Sequence, residues 1–215
     1  MAAQAFDKNK ERPVYKLYYA PRSAALGVRA VLETIGAPYA LSEVDIYSDE
    51  PRDPEFLRIN PNGWVPALVY DGGAMYEAAA IVIFLCDRHP EAGLAPALED
   101  PLRGAFLQWL VYMAGTLQPA YQMFYYSFRF AAREEDYASV RSRSTTRLAE
   151  IWQILDDALA PGPWLLGDRF SACDIYLYML STWLADEHTP ISAFPNVARC
   201  VDRVAARPEV ARAFG

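Results

Sequence analysis

The chain has 215 residues, 53% hydrophobic and 22% charged, with a formal net charge of -7 from 27 acids against 20 bases. That length fits one large domain or two small ones, and the composition is that of a globular chain, not a disordered one. The acid excess argues against a nucleic-acid partner, which would need a basic face to displace counterions from phosphates. The sequence has no run of 18 apolar residues, so no membrane-spanning helix is expected.

Residues 1–12 are polar, lack the apolar stretch of a secretory signal and read as a flexible tail. Val14 to Tyr19 is short and β-rich, and Pro21 ends it. From Ala24 the apolar positions Leu26, Val28, Ala30, Val31, Leu32 and Ile35 predict a helix, with Gly36 as its stop. Ala40 to Ile46 predicts a second strand, parallel to the first by way of the helix. Pro51 to Asn60 reads as a loop with one helical turn. Pro66 to Tyr70 and Ala74 to Tyr76 flank Asp71-Gly72-Gly73, a hairpin signal, and a helix from Glu77 to Arg88 follows.

The proline-rich stretch 91–101 reads as a linker. Beyond it, residues 102–215 are helical throughout. Leu102, Phe106, Trp109, Met113 and Leu117 recur at helical spacing, as do Leu148, Ile151, Trp152, Leu155 and Leu159. Asp174 to Leu184 is apolar on nearly all sides, which predicts a buried helix. Ser171-x-x-Asp174 before it is a capping-box pattern. Pro195 and Pro208 each open a shorter helix. Cys86, Cys173 and Cys200 are odd in number and widely spaced, which suits reduced thiols of a cytoplasmic protein. With two histidines and no CxxC or HExxH pattern, no metal site is expected.

The run Asn60-Pro61-Asn62-Gly63-Trp64-Val65-Pro66-Ala67-Leu68, set in an α/β half that precedes an all-helical half, resembles a cytosolic glutathione transferase of bacterial type. Tyr76-Glu77-Ala78-Ala79-Ala80-Ile81, the stretch from Trp164 to Asp174, Phe194-Pro195-Asn196-Val197 and Ala206-Arg207-Pro208 resemble further segments of that family in the same order. The resemblance runs from about Val14 to Phe214. It implies a thioredoxin-like domain over 13–90 and an all-α helical bundle over 102–215. It also implies a cytoplasmic homodimer that uses glutathione as co-substrate and a small hydrophobic electrophile as the other.

By this resemblance Val65 offers its backbone to the cysteinyl residue of glutathione, ahead of a cis Pro66. Glu77 and Ala78 meet the γ-glutamyl end at a helix start. Ala78 stands where the family carries serine, so a hydroxyl is missing. Trp64 replaces a lysine or glutamine that helps hold the glycyl carboxylate, and Arg22 is the substitute cation. The activating hydroxyl belongs to Ser23, with Tyr18 as the alternative. Each also has a plain structural reading, Ser23 as a helix cap and Tyr18 as core packing. Tyr112, Tyr121 and Tyr125 are assigned to the electrophile pocket.

The chemistry needed is ionisation of a thiol whose free pKa is near 8.5, and a two-unit depression amounts to about 2.7 kcal/mol. The same site also suits peroxidase, isomerase or lyase outcomes. A non-catalytic relative kept for protein contact is the reading from another class.

Overall fold

The computed structural model describes residues 14–48, 50–184 and 190–215, so the expected tail at 1–12 lies outside the described residues. Strand β1 (Tyr15–Tyr19), helix α1 (Ala25–Ile35) and strand β2 (Tyr39–Glu43) form the parallel crossover expected from the sequence. Gly36 ends α1 in the left-handed region at φ 73°, and its N–H reaches the carbonyls of Leu32 and Glu33. Helix α2 (Pro54–Ile59) is longer than the single turn expected. Asp53 caps it by accepting the Glu55 N–H at 2.8 Å, and Pro54 occupies a position where no donor is needed. Strands β3 (Ala67–Tyr70) and β4 (Gly73–Tyr76) make the hairpin, and α3 (Ala78–Arg88) follows.

The strand order is β2-β1-β3-β4. β1 runs parallel to β2, and β3 runs antiparallel to both β1 and β4. The ends of β1 and β4 and the beginning of β3 therefore share one edge. The helices that follow β1 and β4, α1 and α3, both start there. Alternation along β1 turns Tyr15 and Leu17 toward the main core, while Lys16 and Tyr18 face the other way, where Tyr18 meets Phe56 of α2.

The rest is helical. One long helical run comprises α4 (Arg103–Tyr112), a π-helical turn (Met113–Leu117) and α5 (Gln118–Tyr125). Pro119 explains the π turn. It cannot donate to the Gly115 carbonyl and its ring crowds that oxygen. The ladder shifts by one residue there, and the Gln118 N–H bonds to Met113. Helices α6 (Tyr137–Ala158), α7 (Ala172–Ser181), α8 (Pro195–Ala205) and α9 (Pro208–Phe214) complete the chain.

The stretch expected as a linker is itself packed. Leu94 is buried and its carbonyl accepts the Ala172 N–H at 2.8 Å. At its end, Arg103 forms a two-pronged pair with Asp87 of α3 at 2.9 and 3.0 Å. Helix α1 lies against α7 and α9, so both halves share one apolar core.

α7 is buried on all sides, as its sequence predicts. Water cannot satisfy its first turn, so Ser171 and Asp174 do. Ser171 Oγ accepts the Cys173 N–H at 3.2 Å, and Asp174 accepts the N–H groups of Ser171 and Leu165 at 2.8 and 2.9 Å. All three cysteines are buried and unbridged. Burial pushes the Cys86 thiol up to about 12 and raises Cys173 and Cys200 as well.

Burial also raises the Asp174 carboxyl to about 6, against about 3.9 in an unfolded chain. Between those pH values the folded state holds a proton that the unfolded chain has lost. Its contribution to stability is fully present below about pH 4 and lost as pH rises through 6. Asp174→Asn should therefore gain on the parent by about 2–3 kcal/mol between pH 4 and pH 6.5 in urea unfolding. A gap moving the other way would mean the carboxyl is more acidic than its burial implies.

Candidate active site

The shared sheet edge gathers the residues singled out in the sequence. The turn from β1 into α1 carries Arg22 and Ser23. Arg22 sits at φ 59°, a conformation uncommon for a residue with a Cβ, and its side chain is exposed. Ser23 is 8% exposed. Its hydroxyl donates to the Ala20 carbonyl at 2.7 Å and accepts the Ala25 N–H at 3.3 Å. Ser23 thus takes one amide at the start of α1, although the cap residue itself is Ala24, and the single hydroxyl proton points at a carbonyl that an anion can outcompete.

The turn ahead of β3 is built by Asn60. Its side chain donates to the Trp64 carbonyl at 2.6 Å and accepts the Asn62 N–H at 3.1 Å. Arg52 ties the loop after β2 to this turn by donating to the carbonyls of Ile46, Ser48, Glu50 and Gly63. Val65–Pro66 is cis. Val65 lies ahead of the ladder, and its N–H and C=O pair with no other group among the described residues. That leaves one donor and one acceptor at a strand edge, which is what an extended peptide needs.

Glu77 joins β4 to α3 at φ 76° and ψ 108°, with its side chain exposed. The first bond of α3 runs from the Ile81 N–H to the Glu77 carbonyl at 2.9 Å. The N–H groups of Ala78, Ala79 and Ala80 therefore precede the ladder, and Ala78 supplies no capping oxygen. An acid beside three free amides offers complementary charges to an ammonium and a carboxylate. Behind it, burial raises the Tyr176 hydroxyl, the Glu77 charge adds to that, and Tyr176 donates to Gln118 at 2.6 Å.

The helical wall is only partly the one expected. Tyr121 and Tyr125 stack at 6.2 Å. Tyr121 is buried and its hydroxyl accepts the Trp152 indole N–H at 3.1 Å, so it packs in the core beneath Tyr125. Tyr125 is half exposed and donates to the Trp183 carbonyl at 2.6 Å. Burial raises its pKa, and the charges of Arg22 and Arg141 oppose that.

Tyr112 does not join them. The π-helical turn Met113–Leu117 lies between it and Tyr121. Its hydroxyl is buried with no hydrogen-bond partner among the described residues, and Arg147 of α6 is its nearby charge. Tyr18 is also apart from Ser23. Its hydroxyl accepts from Lys16 at 2.9 Å on the α2 face. There it lines a cavity of about 370 Å³ with Ser42, Glu43, Arg52 and Phe56.

Three residues escaped the sequence reading. Tyr47 donates to the Pro21 carbonyl at 3.3 Å, fastening the loop after β2 to the Arg22 turn. Arg52 braces that loop. Arg129, from the 3-10 turn at Ser127–Arg129 after α5, lies over the Trp64 ring at 4.8 Å and the Tyr126 ring at 4.4 Å. Asn-Pro-Asn-Gly marked the turn at 60–63, but no local pattern marks a guanidinium that folds back from another element.

Residues 23–88 match the model of the glutathione S-transferase N-terminal domain, and residues 116–213 match that of its C-terminal domain. The chain belongs to the glutathione S-transferase family. It is 29% identical over 197 residues to glutathione S-transferase GstA of Escherichia coli O157:H7, covering 91% of this chain and 94% of that one. A glutathione transferase structure from Methylococcus capsulatus str. Bath is 31% identical, with a TM-score of 0.81, covering 94% and 97% of the two chains. A Sulfitobacter glutathione transferase homologue, solved with bound glutathione, has a TM-score of 0.85 at 27% identity, again covering 94% and 97%.

The backbone at Glu77 gives a direct test of this geometry. A Cβ at positive φ costs about 1–2 kcal/mol, and the entropy of glycine returns about 0.5–1 kcal/mol of that. Glu77→Gly should unfold at higher urea than Glu77→Ala, by about 0.5–1 kcal/mol. Equal midpoints would mean residue 77 is not held at positive φ.

Proposed function

We propose that this chain is a glutathione transferase that adds the thiolate of glutathione to an electrophilic carbon of a small hydrophobic co-substrate. The carrying observation is the sheet edge at Val65, unpaired and flanked by Glu77 on one side and the Ser23 turn on the other. In this reading glutathione docks as an extra strand. Its cysteinyl backbone pairs with Val65, and its γ-glutamyl ammonium meets Glu77. Its α-carboxylate meets the free amides of Ala78 to Ala80 at the start of α3. The hydroxyl absent at Ala78 leaves that carboxylate to backbone donors alone.

The thiol then reaches the start of α1. Ser23 swings its proton from the Ala20 carbonyl to the sulfur while still accepting from Ala25. A hydroxyl stabilises a thiolate and gains little from a neutral thiol, so the thiol pKa falls. The positive end of α1 acts in the same sense. Attack forms the carbon–sulfur bond, and the electron pair moves to the electrophile or its leaving group. Tyr121 and Tyr125 form the apolar side of the pocket. Tyr18, on the sheet face that meets Phe56 of α2 and apart from the turn at the start of α1, is the weaker choice for activation.

Ser23→Ala should shift the rise of turnover to higher pH by about one unit or more, with a rate loss of roughly tenfold near neutrality. Glutathione affinity should change much less. Tyr18→Phe, which also removes one hydroxyl, should leave the pH profile in place. The reverse pattern would move the activating role to Tyr18.

We also read the protein as a cytoplasmic homodimer, as is usual for this architecture. Light scattering at micromolar concentration should give twice the monomer mass, and a monomer mass would refute it.

A further inference from the structure

Glutathione carries a second carboxylate, on its glycine. If the γ-glutamyl end sits at Glu77 and the cysteine at Val65, the chain direction carries glycine past Val65 on the side away from Glu77. Trp64 precedes Val65 in the chain, and its indole offers one N–H and no charge. It is 39% exposed. Arg129 lies over that ring, contributed by the helical half of the molecule. We propose that Arg129 is the residue that binds the glycyl carboxylate of glutathione, held in place by the Trp64 and Tyr126 rings.

Arg129 lies over three rings, those of Trp64, Tyr126 and Phe128, at 4.8, 4.4 and 5.4 Å. Cation–π contact uses the flat face of a guanidinium, whereas its N–H donors point outward in the plane. Three ring contacts therefore hold the guanidinium in place, and none of them consumes an N–H donor. No described residue accepts a hydrogen bond from the Arg129 side chain, and none forms a salt bridge with it. Nearby arginines are used differently. Arg133 pairs with Glu135 and Asp136, and Arg147 pairs with Glu150. In an acidic chain, an exposed guanidinium held among rings with uncommitted N–H donors is suited to a carboxylate, which accepts two parallel N–H bonds.

Arg22, the cation expected from the sequence, is the competitor. Its turn is fastened by Tyr47, which donates to the Pro21 carbonyl at 3.3 Å. No aromatic face orients it in the described contacts, and it belongs to the turn that carries Ser23. That places it nearer the sulfur than the glycine.

The inference rests on the glutathione reading above, and its test separates the two. Calorimetry compares glutathione with γ-glutamylcysteine, which lacks the glycine, and with the glycyl monoethyl ester of glutathione. The parent should bind glutathione roughly ten- to a hundredfold more tightly than either analogue. Arg129→Gln should weaken glutathione by that factor, leave both analogues unchanged and so erase the discrimination. Arg129→Lys should restore part of it, since charge returns without the fork.

If Arg129→Gln weakens all three ligands alike, Arg129 is a brace for Trp64 and the assignment is overturned. The assignment also fails if discrimination survives in Arg129→Gln and disappears in Arg22→Gln. If the parent binds none of the three, the glutathione reading fails and this inference fails with it.

Discussion

The first turn of α7 lies where no water reaches, and the rest of the molecule leans on how that turn is satisfied. Ser171 and Asp174 supply acceptors from within the chain, and Asp174 also takes the Leu165 N–H of the preceding loop. With those groups paired, α7 can be apolar on every side and receive α1, α4 and α8. α1 is the helix whose N-terminus carries Ser23. The position of a hydroxyl in the α/β half thus depends on a carboxyl buried in the helical half. Two halves joined only by a flexible linker would not transmit that constraint, but Leu94 and Arg103 are themselves packed into the junction.

The sheet topology then does the gathering. Because β3 is antiparallel to its neighbours, groups from three segments meet at one edge. α1 brings the positive end of a helix dipole, α3 brings a second with free amides, and Val65 brings an unpaired peptide group. The chain as a whole is acidic, yet this edge presents backbone amides beside the exposed side chains of Arg22 and Glu77. Such a pattern suits a ligand with one ammonium and more than one carboxylate, and it suits an anionic sulfur. Electrostatics at the edge are therefore set by backbone placement more than by net charge.

Much of this was legible in the sequence because it is encoded locally. Gly36, Pro195, Pro208 and Ser171-x-x-Asp174 announce element ends by chemistry that acts within one turn. The β-rich run of β1 and the period-3.6 stripes in α4 and α6 are equally local. What was not legible is encoded by distance. The grouping of Tyr112 with Tyr121 and Tyr125 was read as spacing along one regular helix, and the π turn at Pro119 that lies between them is not visible in that spacing. Arg52 reads as a solvated charge until its four carbonyl partners are known. Arg129 reads as a loop arginine until the chain folds back over Trp64. Local sequence showed Ser23 as a cap and as a candidate donor, and the fold shows how one rotor serves both neighbours.

The burial of the three cysteines has a bearing on durability. A catalyst that handles reactive electrophiles is exposed to them at every turnover, and its own thiols compete with the sulfur of the substrate. Here the apolar surroundings keep each thiol protonated, and a protonated sulfur is a poor nucleophile. Close packing also denies the reagent an approach. The one sulfur both ionised and reachable would be the one that arrives with the substrate and leaves with the product. The enzyme would outlast its own chemistry because self-alkylation requires the core to open first.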